Sequence, residues 1–386
     1  MSVVPSKLLT GGLAANRTLA SGLANGFDWL FRRDSLIKSG KTWFELVHDS
    51  DLMSVRYYGL PDESEVELPD GSKQVVERNK HKVPLVLVPP LGVTTNTFDL
   101  MPERSLARYM AARGFETYLV DWGKPGKDHA DYGLYDYAGR MMGEAMETIR
   151  AHSGSQDLSM MGWCMGGLLI LLHQGMAQDP HIKNIITIAS PIDLNSGSAV
   201  AGFTEYMDAP AKIVDAIGRL RGRELEAEKF VSPGWMTTLS FKMTDPIGAI
   251  TTYWDLISQI TDREFVVSHT TKADYLDNML AYPGGVVKDL MTKVAPDNAF
   301  AQGEIELGDG NIASLKDIET PMLIFAGKTD KIVEPQVAKA LVDVVASEDK
   351  QYRLAPGGHM GVILGRGAFN EVWGPSADWL IERSAA

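Results

Sequence analysis

The hydrophobic positions of this chain change rhythm along its length. Near the start, Phe27, Leu30 and Phe31 fall at i, i+3 and i+4, with Arg32, Arg33 and Asp34 alongside. That spacing predicts a helix, packing on the main domain or offering a contact surface to a partner chain. Residues 1–80 thus read as a helical N-terminal segment followed by a polar connection, with Asp70-Gly71 as a hairpin tip. Beyond it, Val83-Pro-Leu-Val-Leu-Val88 is a short, nearly continuous apolar run, the pattern of a strand buried on both faces. Similar runs recur at 116–120, 158–163, 184–189 and 322–326, with helix-length segments such as 105–113 and 134–152 between the earlier ones. Strand alternating with helix predicts an α/β fold, a mostly parallel sheet with helices on both faces, formed by 81–195 and 311–386.

Between 196 and 310 the alternation stops. The stretch is rich in methionine and in aromatic residues (Phe203, Tyr206, Trp235, Phe241, Tyr253, Trp254, Phe265). An insertion of this size between two strands reads as a mainly helical cap over the carboxyl edge of the sheet, where open α/β sheets bind ligands. A second helical layer is the alternative.

Charge and cysteine count narrow the function. A formal net charge of −13 argues against a nucleic-acid partner, which requires a basic face. The chain has one cysteine, so it forms no internal disulfide and no four-cysteine zinc site, and no metal is expected. The first thirty or so residues hold no signal-peptide core, and no run of about 18 apolar residues suggests a transmembrane segment. The expected address is the cytoplasm.

The single cysteine sits in Met161-Gly-Trp-Cys-Met-Gly-Gly167, at the joint of two apolar runs. Gly162-Trp163-Cys164-Met165-Gly166 has the form of a nucleophile elbow with cysteine in place of serine. The glycines two residues to either side let strand and helix meet at a sharp turn that lifts the sulfur above the sheet. A lone cysteine can equally be a small buried hydrophobe. The strand–helix setting favours the nucleophile.

A thiol nucleophile needs a base, and in this fold the chain order is nucleophile, acid, histidine. Asp330 follows the last clear strand, and His359 lies in Gly357-Gly-His-Met-Gly361 after a short strand at 351–354. Of the eight histidines only His359 has this setting. His48, His81, His129, His152, His181 and His269 lie in polar stretches and are expected to be solvated, and His173 to serve packing. The expected triad is Cys164, Asp330 and His359. The oxyanion hole is expected from the backbone N–H of Met165 and one amide of the loop after the first strand, at Leu91 or Gly92.

At these positions the chain resembles the polyhydroxyalkanoate synthases, members of the α/β-hydrolase superfamily. The elbow is similar to their G-x-C-x-G-G box. Arg104-Ser-Leu106, Tyr118-Leu-Val-Asp-Trp-Gly123, Gly303-Glu-Ile-Glu-Leu307, Gly358-His-Met-Gly-Val362 and Trp373-Gly-Pro375 resemble further family segments. The chain departs from the family at Leu91-Gly-Val-Thr-Thr-Asn96, where an Asn-Arg/Lys-aromatic element is usual, at Lys331, where a histidine often follows the aspartate, and at the cap motif Tyr275-Leu-Asp-Asn278.

The resemblance implies polymerisation of (R)-3-hydroxyacyl-CoA into a growing polyester through a cysteine thioester. It implies no cofactor beyond the CoA of the substrate. The short interval between Asp330 and His359 suits the two-subunit synthases, which points to a helper subunit; a homodimer and residence on polyester granules stay open. A cysteine hydrolase (thioesterase, polyester depolymerase or lactone hydrolase) is the alternative chemistry, and an inert granule or subunit-like scaffold the alternative to any chemistry.

Overall fold

The computed structural model describes residues 6–197, 227–236, 238, 254–365 and 367–384, with side chains of the first helix from Leu19 onward. Eight strands form the central sheet: β1 (Glu45–Asp49), β2 (Ser54–Tyr58), β3 (Leu85–Val88), β4 (Thr117–Asp121), β5 (Leu158–Trp163), β6 (Ile182–Ile188), β7 (Met322–Gly327) and β8 (Lys350–Ala355). Their spatial order is β1-β2-β4-β3-β5-β6-β7-β8. β2 runs antiparallel to β1 and β4, and all the other pairs are parallel. β3, β5 and β7 are buried along their whole length.

Side chains alternate between two cores, as the two-residue period of a strand requires. Leu85, Leu87, Met161 and Trp163 enter one core with α2 (Leu106–Ala112) and α6 (Gly374–Ser384). Val86, Val88 and Met160 enter the other with α3 (Met142–Ser153) and α4 (Met165–Ala177). The Ser105 hydroxyl caps α2 by accepting from the Arg108 N–H at 3.1 Å. α4 is apolar around its circumference and buried from Met165 to Gly175. A helix of that composition needs cover on every side, and the hairpin Glu304–Gly308/Asn311–Ser314 supplies part of it. A Cβ on Gly175 would lie 3.1 Å from the Ser314 backbone N.

One expectation from the sequence changes here. Residues 1–80 are not only helix and polar connection, because β1 and β2 extend the sheet from within that stretch. The polar spacing of these edge strands hid them, while the hairpin at Asp70-Gly71 forms as expected between Glu65–Glu67 and Lys73–Val75. The helix α1 (Ser6–Phe31) forms as expected, and its Trp29 packs against the core on one face of the sheet. The helix also docks on the cap helix α5 (Arg263–Asp277) and the turn before it. Asn25 Nδ2 donates to the Ile260 carbonyl at 2.8 Å, Arg263 Nη1 meets Asp28 Oδ2 at 2.7 Å, and Arg33 Nη2 meets Asp277 Oδ2 at 3.2 Å. Phe27, Leu30 and Phe31 stay 54%, 65% and 72% exposed, so this apolar stripe is not the packing face.

The proposed cap, 196–310, is described only in part; Phe203, Tyr206, Phe241 and Tyr253 lie outside the described residues. The part described includes α5 and a short helix at Gly284–Asp289. It is tied to the sheet's loops at Gly92, where the carbonyl accepts the Leu280 N–H at 2.8 Å, and at Leu134, whose N–H donates to Asp289 Oδ2 at 2.8 Å.

Candidate active site

The elbow follows from close approach. Cys164 has φ 53° and ψ −122°, a strained backbone at the joint between β5 and α4. A Cβ on Gly162 would lie 2.5 Å from the Gly167 N, and one on Gly166 only 2.1 Å from the Val88 O. Neither contact can relax cheaply, because both partners are backbone. The turn is pinned to the next strand, the Cys164 N–H donating to the Ile188 carbonyl at 2.8 Å. Ser190 Oγ donates to the Cys164 carbonyl at 2.9 Å. The thiol is partly accessible rather than entombed.

Asp330 and His359 come from neighbouring strands. Asp330 stands just past β7, and its Oδ1 accepts the N–H groups of Ile332 and Val333 at 2.8 and 2.9 Å. Its Oδ2 accepts from His359 Nδ1 at 2.8 Å, and the His and Asp side chains are 3% and 0% exposed. The loops carrying the pair are laced together, Lys328 N–H donating to the Ala355 carbonyl at 2.8 Å and Thr329 N–H to the Gly357 carbonyl at 3.1 Å. Cys164 contributes to the electrostatics of His359, so the structure brings Cys164, His359 and Asp330 together at the carboxyl edge of the sheet.

Burial alone would lower the His359 pKa. The Cys164 charge, the hydrogen bond to Asp330 and the Asp330 charge outweigh burial and push it up to about 10.

Cap and loop meet at this end of the sheet. The Tyr275 hydroxyl lies 2.6 Å from Thr97 Oγ1. Burial raises the pKa of both Tyr275 and Tyr282; the Thr97 hydrogen bond opposes it at Tyr275, and the Cys164 charge adds to it at both. Tyr282 presses its ring on Gly92, where φ is +78° and a Cβ would meet the ring at 2.2 Å. Leu91 is buried and Met165 opens α4 directly after the nucleophile. A small pocket beside them is lined by Leu91, Gly92, Trp122, Tyr137, Leu280 and Pro283 among others. Among the described residues no group of His, Cys, Asp and Glu is placed to hold a metal.

Sequence reasoning missed Tyr282, Thr97, Ser190 and the partnership of Trp163 with the histidine. Tyr275 was visible only as a departure from a cap motif. Asn278 of that motif is exposed and turns back on α5, donating to Asp274 Oδ1 at 2.8 Å. Several of the remaining histidines are also less solvated than their neighbours in sequence suggested. His48 pairs with Glu144 at 2.9 Å, His81 binds the Arg113 carbonyl at 3.0 Å, and His152 Nδ1 meets the Tyr118 hydroxyl at 2.7 Å. His129 pairs with Asp51 at 3.0 Å and His269 has buried ring nitrogens against Phe265, while His152 and His181 are exposed. Local polarity records the partners available, not solvent. His173 packs as expected, Nδ1 at 2.8 Å from the Ala138 carbonyl.

Comparison with known proteins follows the same lines. A family model described as Hydrolase_4, serine aminopeptidase S33, matches residues 103–360. Among curated proteins the chain is similar to the poly(3-hydroxyalkanoate) polymerase subunit PhaC of Haloferax mediterranei, with 25% identity over 91% of this chain and 66% of that protein. It is similar to the subunit of the same name from Allochromatium vinosum, with 24% identity over 99% of each. The chain thus spans just under two thirds of the first relative and nearly the whole of the second. Among solved structures it is similar to a soluble variant of monoglyceride lipase from Saccharomyces cerevisiae, with 18% identity, a TM-score of 0.50 and coverage of 89% of this chain and 96% of that one, a likeness of fold alone. With its sheet order, elbow and relay, the chain belongs to the Hydrolase_4 family of the α/β-hydrolase superfamily, and the curated relatives it resembles are poly(3-hydroxyalkanoate) polymerases.

Proposed function

We propose that this protein is a polyester synthase that polymerises (R)-3-hydroxyacyl-CoA and releases CoA. The observation that carries the reading is a cysteine, not a serine, at the head of a His–Asp relay, in a chain similar end to end to a PhaC subunit. Cys164 attacks the thioester carbonyl of the acyl-CoA as a thiolate, its proton held on His359. The tetrahedral oxyanion collapses, the C–S bond to CoA breaks, and the leaving sulfur takes the proton from His359. The acyl group is then a thioester on Cys164. Exchange of one thioester for another is nearly isoenergetic, so the acyl group stays activated. The hydroxyl of another 3-hydroxyacyl unit attacks next, giving its proton to His359 and restoring the thiolate.

Asp330 orients the imidazole and stabilises its charge, and general-base assistance of this kind contributes roughly 10² to 10⁴ in rate. The oxyanion is met by the Met165 N–H and by an amide at Leu91 or Gly92, each such donor contributing about 3 kcal/mol. Tyr275 and Tyr282 exclude water, which would divert the thioester to free acid. No cofactor is required. A helper subunit, a homodimer and a place in the cytoplasm at the granule surface belong to this reading through the likeness to the short synthases. No described helix is long and apolar enough to cross a membrane.

Membership in a hydrolase family favours one second reading, a cysteine hydrolase in which water takes the acyl group. Incubation of the purified protein with 3-hydroxybutyryl-CoA separates them. Release of CoA with insoluble polyester is expected, while release with monomeric acid identifies the hydrolase. Cys164→Ala removes turnover in either case; unchanged turnover would exclude Cys164 as the nucleophile.

A further inference from the structure

Trp163 precedes the nucleophile and ends β5, paired in register with Ile188 of β6. Its ring centroid lies 5.0 Å from that of His359, with an interplanar angle of 38°. The indole is fully buried, and its Nε1–H has no hydrogen-bond partner among the described residues. An unpaired buried N–H is unfavourable. Phenylalanine or leucine would fill most of this core without that cost, so the indole has a use beyond volume. What it offers the imidazole is a broad aromatic face, the strongest of the side-chain π systems toward a cation and effective within about 6 Å.

We propose that Trp163 is a positioning residue of the acyl-transfer centre, its indole face holding the protonated imidazole of His359 between Asp330 and Cys164. The proposal rests on the reading of these three residues as that centre. The Nδ1 edge of the imidazole is fixed by its hydrogen bond to Asp330, and the indole controls the remaining freedom, rotation and tilt of the ring plane. The strand pairing of Trp163 keeps the indole in place while the histidine gains and loses its proton. The titratable groups that face the ring are Cys164 from the elbow and Asp330 from the loop after β7. From the cap, Tyr275 and Tyr282 feel the Cys164 charge, and Arg104, at the start of α2, is directed to the Leu364 carbonyl at 3.5 Å. None of these supplies an aromatic face to the cation as Trp163 does.

The test is an NMR titration of the His359 imidazole in the full-length protein and in Trp163→Phe and Trp163→Leu. The expected order of pKa values is parent, then Phe, then Leu, with a total fall of about one unit. The alkaline limb of CoA release moves down with it. Trp163→Phe keeps the core filled and decides the matter should the leucine variant fail to fold. A phenylalanine variant that titrates as the parent does overturns the proposal, even if its activity has fallen, because lost packing alone lowers the rate without moving the proton. The titration needs no substrate, so it stands apart from whether the product is polymer or acid.

Discussion

His359 is the residue on which the chemistry turns, because its proton is shared among three partners with opposite demands. Burial disfavours the imidazolium, and Cys164 and Asp330 together overcome that effect. A pKa raised from the ordinary value of about 6.5 has a definite thermodynamic sign. The folded state holds this proton more tightly than the unfolded chain, so the stability that His359 contributes is complete below the unfolded value and is lost as pH rises through about 10. The same proton is what the departing CoA sulfur collects. Acylation is therefore expected to keep its full rate well above neutrality and to decline near pH 10. In Asp330→Asn one hydrogen-bonding charge is gone. The rate of CoA release is expected to fall by about 10² to 10⁴, and the alkaline limb to move to lower pH. Initial rates from pH 6 to 11 (roughly the span over which an imidazole so placed titrates) measure both; a limb that stays in place removes Asp330 from the proton's surroundings.

At the scale of elements, the joint of β5, α4 and the loop after β6 is built by exclusion of side chains. A Cβ on Gly167 would sit 2.1 Å from Ser190 Oγ but 3.2 Å from Ser190 Cβ. Gly167→Ala is expected to destabilise the fold by about 1–3 kcal/mol through overpacking. Adding Ser190→Ala removes the colliding oxygen, at the expense of one hydrogen bond to the Cys164 carbonyl. Denaturant melts of the double-mutant cycle should show the pair recovering much of the loss; strictly additive effects would mean that the collision is not the cause.

This joint was legible in the sequence because each part of it is local. Glycine spacing, an apolar strand and an apolar helix lie within a few residues of Cys164. Asp330 and His359 were legible because the sheet order brings consecutive strand ends together. The phenols of the cap were not, since Tyr275 and Tyr282 reach the sheet's loops by tertiary packing and no periodicity marks a residue that bends back over a distant loop. The edge strands escaped for a related reason: β1 is exposed or half-exposed throughout, so it lacks the apolar run that reveals β3 and β5. The face by which α1 packs was not legible, because Phe27, Leu30 and Phe31 face outward while Asn25 and Asp28 make the bonds that dock it on the cap.

At the scale of the molecule, the polar contacts that join the described part of the cap to the sheet's loops include one that can be removed with little else disturbed. In Tyr275→Phe the bond to Thr97 is lost, while Thr97 Oγ1 retains the Thr94 carbonyl at 3.1 Å. One hydrogen bond contributes about 1 kcal/mol, so access to the sulfur should become about fivefold more frequent. With one cysteine in the chain, alkylation by iodoacetamide reports that access directly. A rate equal to that of the parent would show that this contact does not hold the cap down. The docking of α1 on α5 gives the same opening a second control point. Whatever displaces the roof over the thiol carries the N-terminal helix along, so a surface that grips Leu23, Phe27 and Phe31 must, by reciprocity, alter the energy of uncovering the sulfur. The outward-facing greasy stripe is in that sense a handle on the door.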